Sequence, residues 1–329
     1  MNRASGILLS VTSLPSKYGI GCFDKTAYDF VDWLAKAGQT YWQILPLCPT
    51  CYGGADDSPY QSYSAFAGNP YMICLEDLIA EGVLTQEECD AIDFGENPEK
   101  VNYDKLHDYR YQLLHKAYER SNVSRNPAYN RFLAENRWWL DDYALFMALK
   151  NFFGDVAWNS WPQDIRLRWG YALDYYRREL YFDVEFQMYL QFKFFQQWLK
   201  LKDYANSKGI KIIGDMPIYV SLDSADVWAH PELFQLDEET DPLPLPAVLP
   251  MPSPPTARCG ATPFTAGIII SRPVSTGGYP ACIRASVCMI RSALTISVAW
   301  TNTSPFPPMP RLLSAVIGSP APAWPCLIR

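Results

Sequence analysis

Apolar positions recur with two different periods in the first part of the chain. Ile7 to Val11 is a short apolar run that passes into Thr12-Ser13-Leu14-Pro15-Ser16, the pattern of a strand ending in a polar loop. Asp24 precedes a stretch in which Ala27, Phe30, Val31 and Leu34 share one face, and Gly38 follows it, so the spacing predicts an amphipathic helix from an Asp24 cap to Ala37. Thr40 to Leu47 reads as a second strand. Strand, helix and strand in this order form a βαβ unit, which implies a parallel sheet. A long loop rich in Gly, Pro, Ser and Tyr follows from Cys48 to Tyr71. Residues 76–160 are then helical and charged, with predicted helices at Glu76–Gly82, Thr85–Ile92, Tyr103–Arg120 and Tyr129–Phe153. Val184 to Ser207 predicts a further long helix closed by Lys208-Gly209, and Ile210 to Asp215 a third strand ending in an acid. A carboxylate at the C-terminal end of a parallel strand is where (β/α) barrels place their chemistry, although three strands are fewer than a closed barrel requires.

Composition divides the chain near residue 241. Residues 1–240 hold 34 of the 35 acidic residues, every Lys, all 3 His and 43 of the 48 aromatics, as expected of a folded acidic domain. Residues 241–329 hold one acid, Asp241, with six Arg, 17 of the 27 Pro and four of the 9 Cys. A natural disordered tail is usually poor in Ile, Val, Cys and Trp. Here Gly267-Ile268-Ile269-Ile270, Cys288-Met289-Ile290 and Ala315-Val316-Ile317 run the other way, which points to out-of-frame translation, with a disordered tail as the alternative.

The net charge of -7 argues against nucleic acid as a partner, because neutralising phosphates needs clustered Lys and Arg. No apolar run approaches a membrane span and residues 1–10 do not form a secretory signal, so no membrane partner and a cytoplasmic location are expected. Nine Cys without regular spacing do not describe a disulfide framework, and Cys48-Pro49-Thr50-Cys51 has no second pair at zinc distance. His107, His115 and His230 are scattered, HExxH, GxSxG and Walker patterns do not occur, and no metal site is expected. Asp56-Asp57 reads as a solvated turn and Asp141-Asp142 as a helix start.

Two segments rise above this background. Ser58-Pro59-Tyr60-Gln61-Ser62-Tyr63-Ser64-Ala65-Phe66-Ala67-Gly68-Asn69-Pro70-Tyr71 gathers hydroxyls, amides and aromatic faces in a loop beyond a strand. Such faces suit a sugar ring, apolar on its C–H side and polar at its rim, but tyrosines packed over a core would leave the same pattern. The second segment is Gly214-Asp215-Met216-Pro217-Ile218-Tyr219-Val220, continuing to Asp223, Ser224 and Asp226. Asp215, at a strand end, is the candidate for gripping substrate hydroxyls, whereas Asp223 and Asp226 read as structural and Ser224 as a turn or cap residue.

At these segments the chain resembles the amylomaltases, the bacterial 4-alpha-glucanotransferases. The likeness runs through residues 3–240: Gly6-Ile7-Leu8-Leu9 with Thr12-Ser13-Leu14-Pro15, Gly19-Ile20-Gly21, Trp42-Gln43-Ile44-Leu45-Pro46-Leu47, Ser58-Pro59-Tyr60-Gln61 to Asn69-Pro70, and Gly214 to Val220. The resemblance implies an α/β fold, the N-terminal part of a (β/α)8 TIM barrel with a helical insertion at about 76–180, followed by a Pro-rich non-family tail over 241–329. It implies a 4-alpha-glucanotransferase that moves α-1,4-glucan segments to glucose or maltooligosaccharide acceptors by a retaining double displacement, without a cofactor. Ser58 and Tyr60 are the implied donor-sugar contacts and Asp215 the carboxylate near the reacting sugar.

The family's nucleophile motif, similar to Arg-Ile-Asp-His-Phe-Arg-Gly, and its acid/base motif, similar to Ala-Glu-Asp-Leu-Gly, do not occur in the sequence, so no catalytic residue is encoded in frame. CGC ATT GAC CAT TTC CGT GGC codes the first motif and, read one nucleotide late, gives Ala-Leu-Thr-Ile-Ser-Val-Ala, the sequence of Ala293 to Ala299. The family's Gly-Asn-Pro-Leu-Tyr-Arg-Trp-Asp-Tyr-His, with suitable codons and the same shift, gives Ala261 to Ile270. A one-nucleotide frame change between Leu236 and Met251 is therefore expected, leaving a truncated and inactive enzyme. A non-catalytic α-glucan-binding protein and a pseudogene product are the alternatives.

Overall fold

The computed structural model describes residues 4–51, 57–95, 100–215, 217, 220–234, 236, 237 and 240. The tail over 241–329, Asp56 of the Asp56-Asp57 pair, and Met216, Ile218 and Tyr219 of the second candidate motif lie outside the described residues.

Three strands, β1 (Gly6–Leu8), β2 (Tyr41–Gln43) and β3 (Lys211–Ile213), pair in parallel in the order β1-β2-β3. Ile7 lies opposite Trp42, and Trp42 opposite Ile212, so one row of side chains crosses the sheet. Trp42 is fully buried and its indole Nε1 donates to the Leu9 carbonyl at 2.8 Å, tying the exit of β1 to β2. The ladder is shorter than the apolar runs that predict it. Val11–Ser13 is a 3-10 turn, and the Thr12 carbonyl accepts from Gly21 N at 3.2 Å, because the chain must bend beneath the Gly19-Ile20-Gly21 segment.

Helix α1 (Lys25–Lys36) connects β1 to β2 as its pattern predicts. The Asp24 carboxylate accepts from Thr26 N and Ala27 N, Ala27, Val31 and Leu34 are buried, and Gly38 takes the left-handed φ of 69° that ends the helix. Among the described residues eight more helices intervene before β3. They are α2 (Leu75–Ala80), α3 (Gln86–Asp90), α4 (Tyr103–Lys105), α5 (Tyr111–Arg120), α6 (Pro127–Phe152), α7 (Gln163–Arg166), α8 (Gly170–Glu179) and α9 (Tyr181–Ser207). A π turn over Leu106–Arg110 joins α4 to α5, and α10 (Ala225–Ala229) follows β3. Asn126 and Pro127 start α6, which places Asp141-Asp142 in the middle of the helix and not at its beginning. There the two acids meet Arg137 at 3.1 Å and Arg168 at 2.6 Å, ion pairs that suit a helix flank.

The long helices α6 and α9 pack side by side through Tyr129, Phe132, Phe192 and Phe195. One apolar core lies between the sheet, α1 and α9, and a second lies among α6, α8 and α10 around Phe146, Trp158 and Trp228. Neither long helix is amphipathic in the ordinary way, since α9 is buried on most of its circumference.

The segment that leaves the sheet after β2 runs inward without a strand partner, and a buried cation satisfies part of it. Arg110 is fully buried and donates from Nη1 to Tyr18 O at 3.1 Å, and from Nη2 to Tyr71 O at 3.0 Å and Ile73 O at 2.5 Å. Removing the guanidinium strands three buried carbonyls. Arg110→Met, which keeps most of the stem volume, is expected to lower stability by about 3 kcal/mol in urea unfolding of the full chain. A loss well under 1 kcal/mol would mean that water replaces the guanidinium.

Candidate active site

The loop that begins at Cys48 returns to the sheet at Asn69, whose N–H donates to Leu47 O at 2.8 Å. Within it Ser58 closes a small turn, its Oγ accepting from Tyr60 N at 3.3 Å and its carbonyl from Gln61 N at 3.0 Å. That turn projects the Tyr60 ring outward with 44% of its surface exposed. The Tyr60 hydroxyl donates to Asp215 Oδ2 at 2.7 Å, two residues past the end of β3. The hydrogen bond to the carboxylate, with a smaller contribution from burial, pushes the Tyr60 phenol up to about 12. All three sequence-derived site residues thus fall in one place, Tyr60 and Asp215 in direct contact and Ser58 joined to them through the Tyr60 backbone.

Asp215 also lines a mostly apolar cavity of about 260 Å3, together with Ile44, Leu47, Phe194, Trp198 and Ile212. A carboxylate in a mostly apolar cavity, bonded to an exposed tyrosine beside it, can hold a ring that is apolar on one side and hydroxylated at its edge. Among the described residues no group of three or more His, Cys, Asp or Glu is placed to hold a metal ion, and Cys48 is a buried thiol that donates to Ala65 O at 3.7 Å.

Of the remaining acids of the second motif, Asp226 holds the loop and Asp223 holds the helical insertion. Asp226 Oδ2 accepts from Ala65 N at 2.7 Å and its Oδ1 from Ser64 Oγ at 3.3 Å, while Ala225 N donates to Tyr63 O at 2.8 Å. Ser224 is the side-chain cap of α10, accepting from Val227 N. Asp223 accepts from the buried Lys150 Nζ at 2.7 Å and from Trp158 N at 3.2 Å, and Lys150 also donates to the carbonyls of Asp155 and Val156. Lys150, Arg110 and the buried Gln191 were not singled out from the sequence. For Gln191 and Lys150 the signal available was a polar residue within an apolar helical run, which requires a partner somewhere.

The profile of the 4-alpha-glucanotransferase family matches residues 9–263. The chain belongs to this family. A 4-alpha-glucanotransferase of Clostridium butyricum is 50% identical over 232 residues, covering 70% of this chain and 47% of the relative. That of Thermus thermophilus is 47% identical over 244 residues, 73% of this chain and 47% of the relative. Among solved structures, an amylomaltase from Streptococcus agalactiae in complex with acarbose superposes with a TM-score of 0.70 at 45% identity, covering 74% of this chain and 49% of that one. The chain therefore spans about half the length of the family members it matches. The family match extends past the compositional change at residue 241. No helix among the described residues is long and apolar enough to cross a membrane.

Two outcomes are expected from the site chemistry. In Asp215→Asn the Tyr60 phenol loses its charged acceptor and returns toward its ordinary value near 10, so phenolate absorbance rises between about pH 9 and 11 in the variant but not in the parent at this position. Burial raises the Asp226 carboxyl to about 6. Its neutral form therefore contributes stability that is fully present below about pH 3.9, the unfolded value, and is lost as pH rises through 6. Asp226→Asn, which keeps an oxygen acceptor for Ala65 N and turns its amide NH2 toward Ser64 Oγ, should remove about 2 kcal/mol of pH dependence between pH 4 and 6, read as a flatter melting temperature against pH.

Proposed function

We propose that residues 1–240 form the N-terminal part of a 4-alpha-glucanotransferase (β/α)8 barrel with a helical insertion at about 76–180. The α-glucan donor contacts are Ser58 and Tyr60, and Asp215 lies beside the reacting sugar. The observation that carries the reading is the Tyr60–Asp215 hydrogen bond, which joins the two motifs across 155 residues, with Asp215 lining a cavity of about 260 Å3. In the complete reaction one carboxylate attacks the anomeric carbon to form a glycosyl-enzyme, and an acid protonates the departing glycosidic oxygen. The same group then takes the proton from the acceptor hydroxyl as the second displacement restores the α linkage. A sugar in place of water as acceptor makes the enzyme a transferase of α-1,4-glucans and maltooligosaccharides.

Neither the nucleophile nor the acid/base is among residues 1–329, because both family motifs are missing and Asp241 is the only acid after residue 240. We read residues 241–329 as translated one nucleotide out of frame. This cytoplasmic chain thus keeps saccharide affinity but not the transfer step, since a retaining enzyme without its nucleophile loses the chemistry itself.

Two measurements test this. Titration calorimetry with acarbose should give a saturable heat, reduced roughly tenfold in affinity by Asp215→Asn, while maltotriose incubated with the same chain gives no disproportionation products. Robust disproportionation, or no acarbose binding by folded chain, overturns the respective half of the proposal. Resequencing the DNA across codons 230–260 tests the frame. An alternative frame encoding the missing motifs supports it, and the absence of those motifs from every frame removes it.

A further inference from the structure

Two glutamines on α9 make the same contact with a non-helical segment six residues apart. Gln191 is fully buried, and its amide pairs with both backbone groups of Gly68: Oε1 accepts from Gly68 N at 2.7 Å and Nε2 donates to Gly68 O at 2.9 Å. Gln197 pairs in the same way with Cys74, accepting from its N at 2.7 Å and donating to its O at 3.2 Å. Each amide takes the place of a neighbouring strand.

The two clamps differ in what they adjoin. Gln197 holds Cys74, the N-terminal cap position of α2. Gln191 holds Gly68, at the end of the stretch whose other end, Ser64-Ala65, is gripped by Asp226. Between these points Ser64 Oγ accepts from Phe66 N at 3.1 Å and Ala67 N at 3.4 Å, and Ala65 to Gly68 line the cleft beneath Asp215. Gly68 also has no room for a side chain, since a Cβ there would overlap the Phe194 ring. We propose that Gln191 is a positioning residue of the saccharide site, fixing the cleft wall Ala65–Gly68 before a sugar arrives, whereas Gln197 serves stability alone. This rests on the reading of the Ser58–Tyr71 loop as saccharide-binding. Preorganisation of this kind strengthens binding by removing the ordering cost that a loose loop would carry.

The test compares Gln191→Met with Gln197→Met in the full chain, each removing one pair of hydrogen bonds at nearly constant volume. Both are expected to lower the melting temperature. Only Gln191→Met is expected to speed amide hydrogen exchange at Phe66 and Ala67, and to weaken acarbose binding roughly tenfold, while Gln197→Met leaves that affinity within about twofold. If Gln191→Met does not accumulate, Gln191→Glu is measured by the same criteria. It keeps the acceptor for Gly68 N and loses the donor to Gly68 O. Equal affinities and unchanged exchange at Phe66 and Ala67 in the Gln191 variant overturn the inference. If the parent chain binds no acarbose, the saccharide reading fails, and the exchange comparison alone decides whether Gln191 orders this wall.

Discussion

A buried stretch of backbone without a strand partner must find hydrogen-bond partners among side chains, and this requirement organises the protein. From Tyr63 to Cys74 the chain runs through the interior, where a stranded N–H or C=O costs on the order of 1–3 kcal/mol. Helices supply what a neighbouring strand would otherwise give. Asp226 on α10 meets Ala65, Gln191 and Gln197 on α9 meet Gly68 and Cys74, and Arg110 at the start of α5 meets Tyr71 and Ile73. The position of the candidate site follows, because Tyr60 reaches Asp215 only if the loop that carries it is held at these points.

Local periodicity made much of the scaffold legible. The βαβ start and the Asp24-capped α1 follow from local spacing and amphipathicity, and the long helix before β3 from an uninterrupted run of helix-compatible residues closed by Gly209. Strand ends were less legible. Val11 sits in an apolar run that suits a strand, but the ladder stops where its neighbours cease to pair, and that is decided by residues around position 43 and position 213. Asp141-Asp142 looked like a helix start because adjacent acids favour a first turn, yet their partners Arg137 and Arg168 fix them mid-helix. The short helices α7, α8 and α10 carry weak periodicity and did not stand out.

The site divides in the same way. Ser58, Tyr60 and Asp215 could be named because aromatic and hydroxyl groups cluster in one loop, because an acid at a strand end is a functional position in parallel sheets, and because family motifs coincide there. Gln191 and Arg110 could not, since the groups that need them lie 37 to 123 residues away along the chain, and the charged partner of Lys150 lies 73 residues away. Polar residues inside a buried helix tell the reader that partners exist without saying which. Asp226 illustrates the same limit. Its structural role was readable, but its grip on Ser64 and Ala65 spans more than 160 residues.

The paired glutamines also act as a gauge of loop length. Six residues of helix rise about 9 Å, whereas six residues of extended chain reach about 20 Å. The segment from Gly68 to Cys74 matches the shorter distance by folding its middle into the 3-10 turn Pro70–Met72, pinned where Asn69 Oδ1 accepts from Tyr71 N at 3.0 Å. An insertion or deletion there would carry one backbone pair out of reach of its amide. The helix that faces this stretch therefore sets its length, and variation in loop size must be sought elsewhere in the lineage.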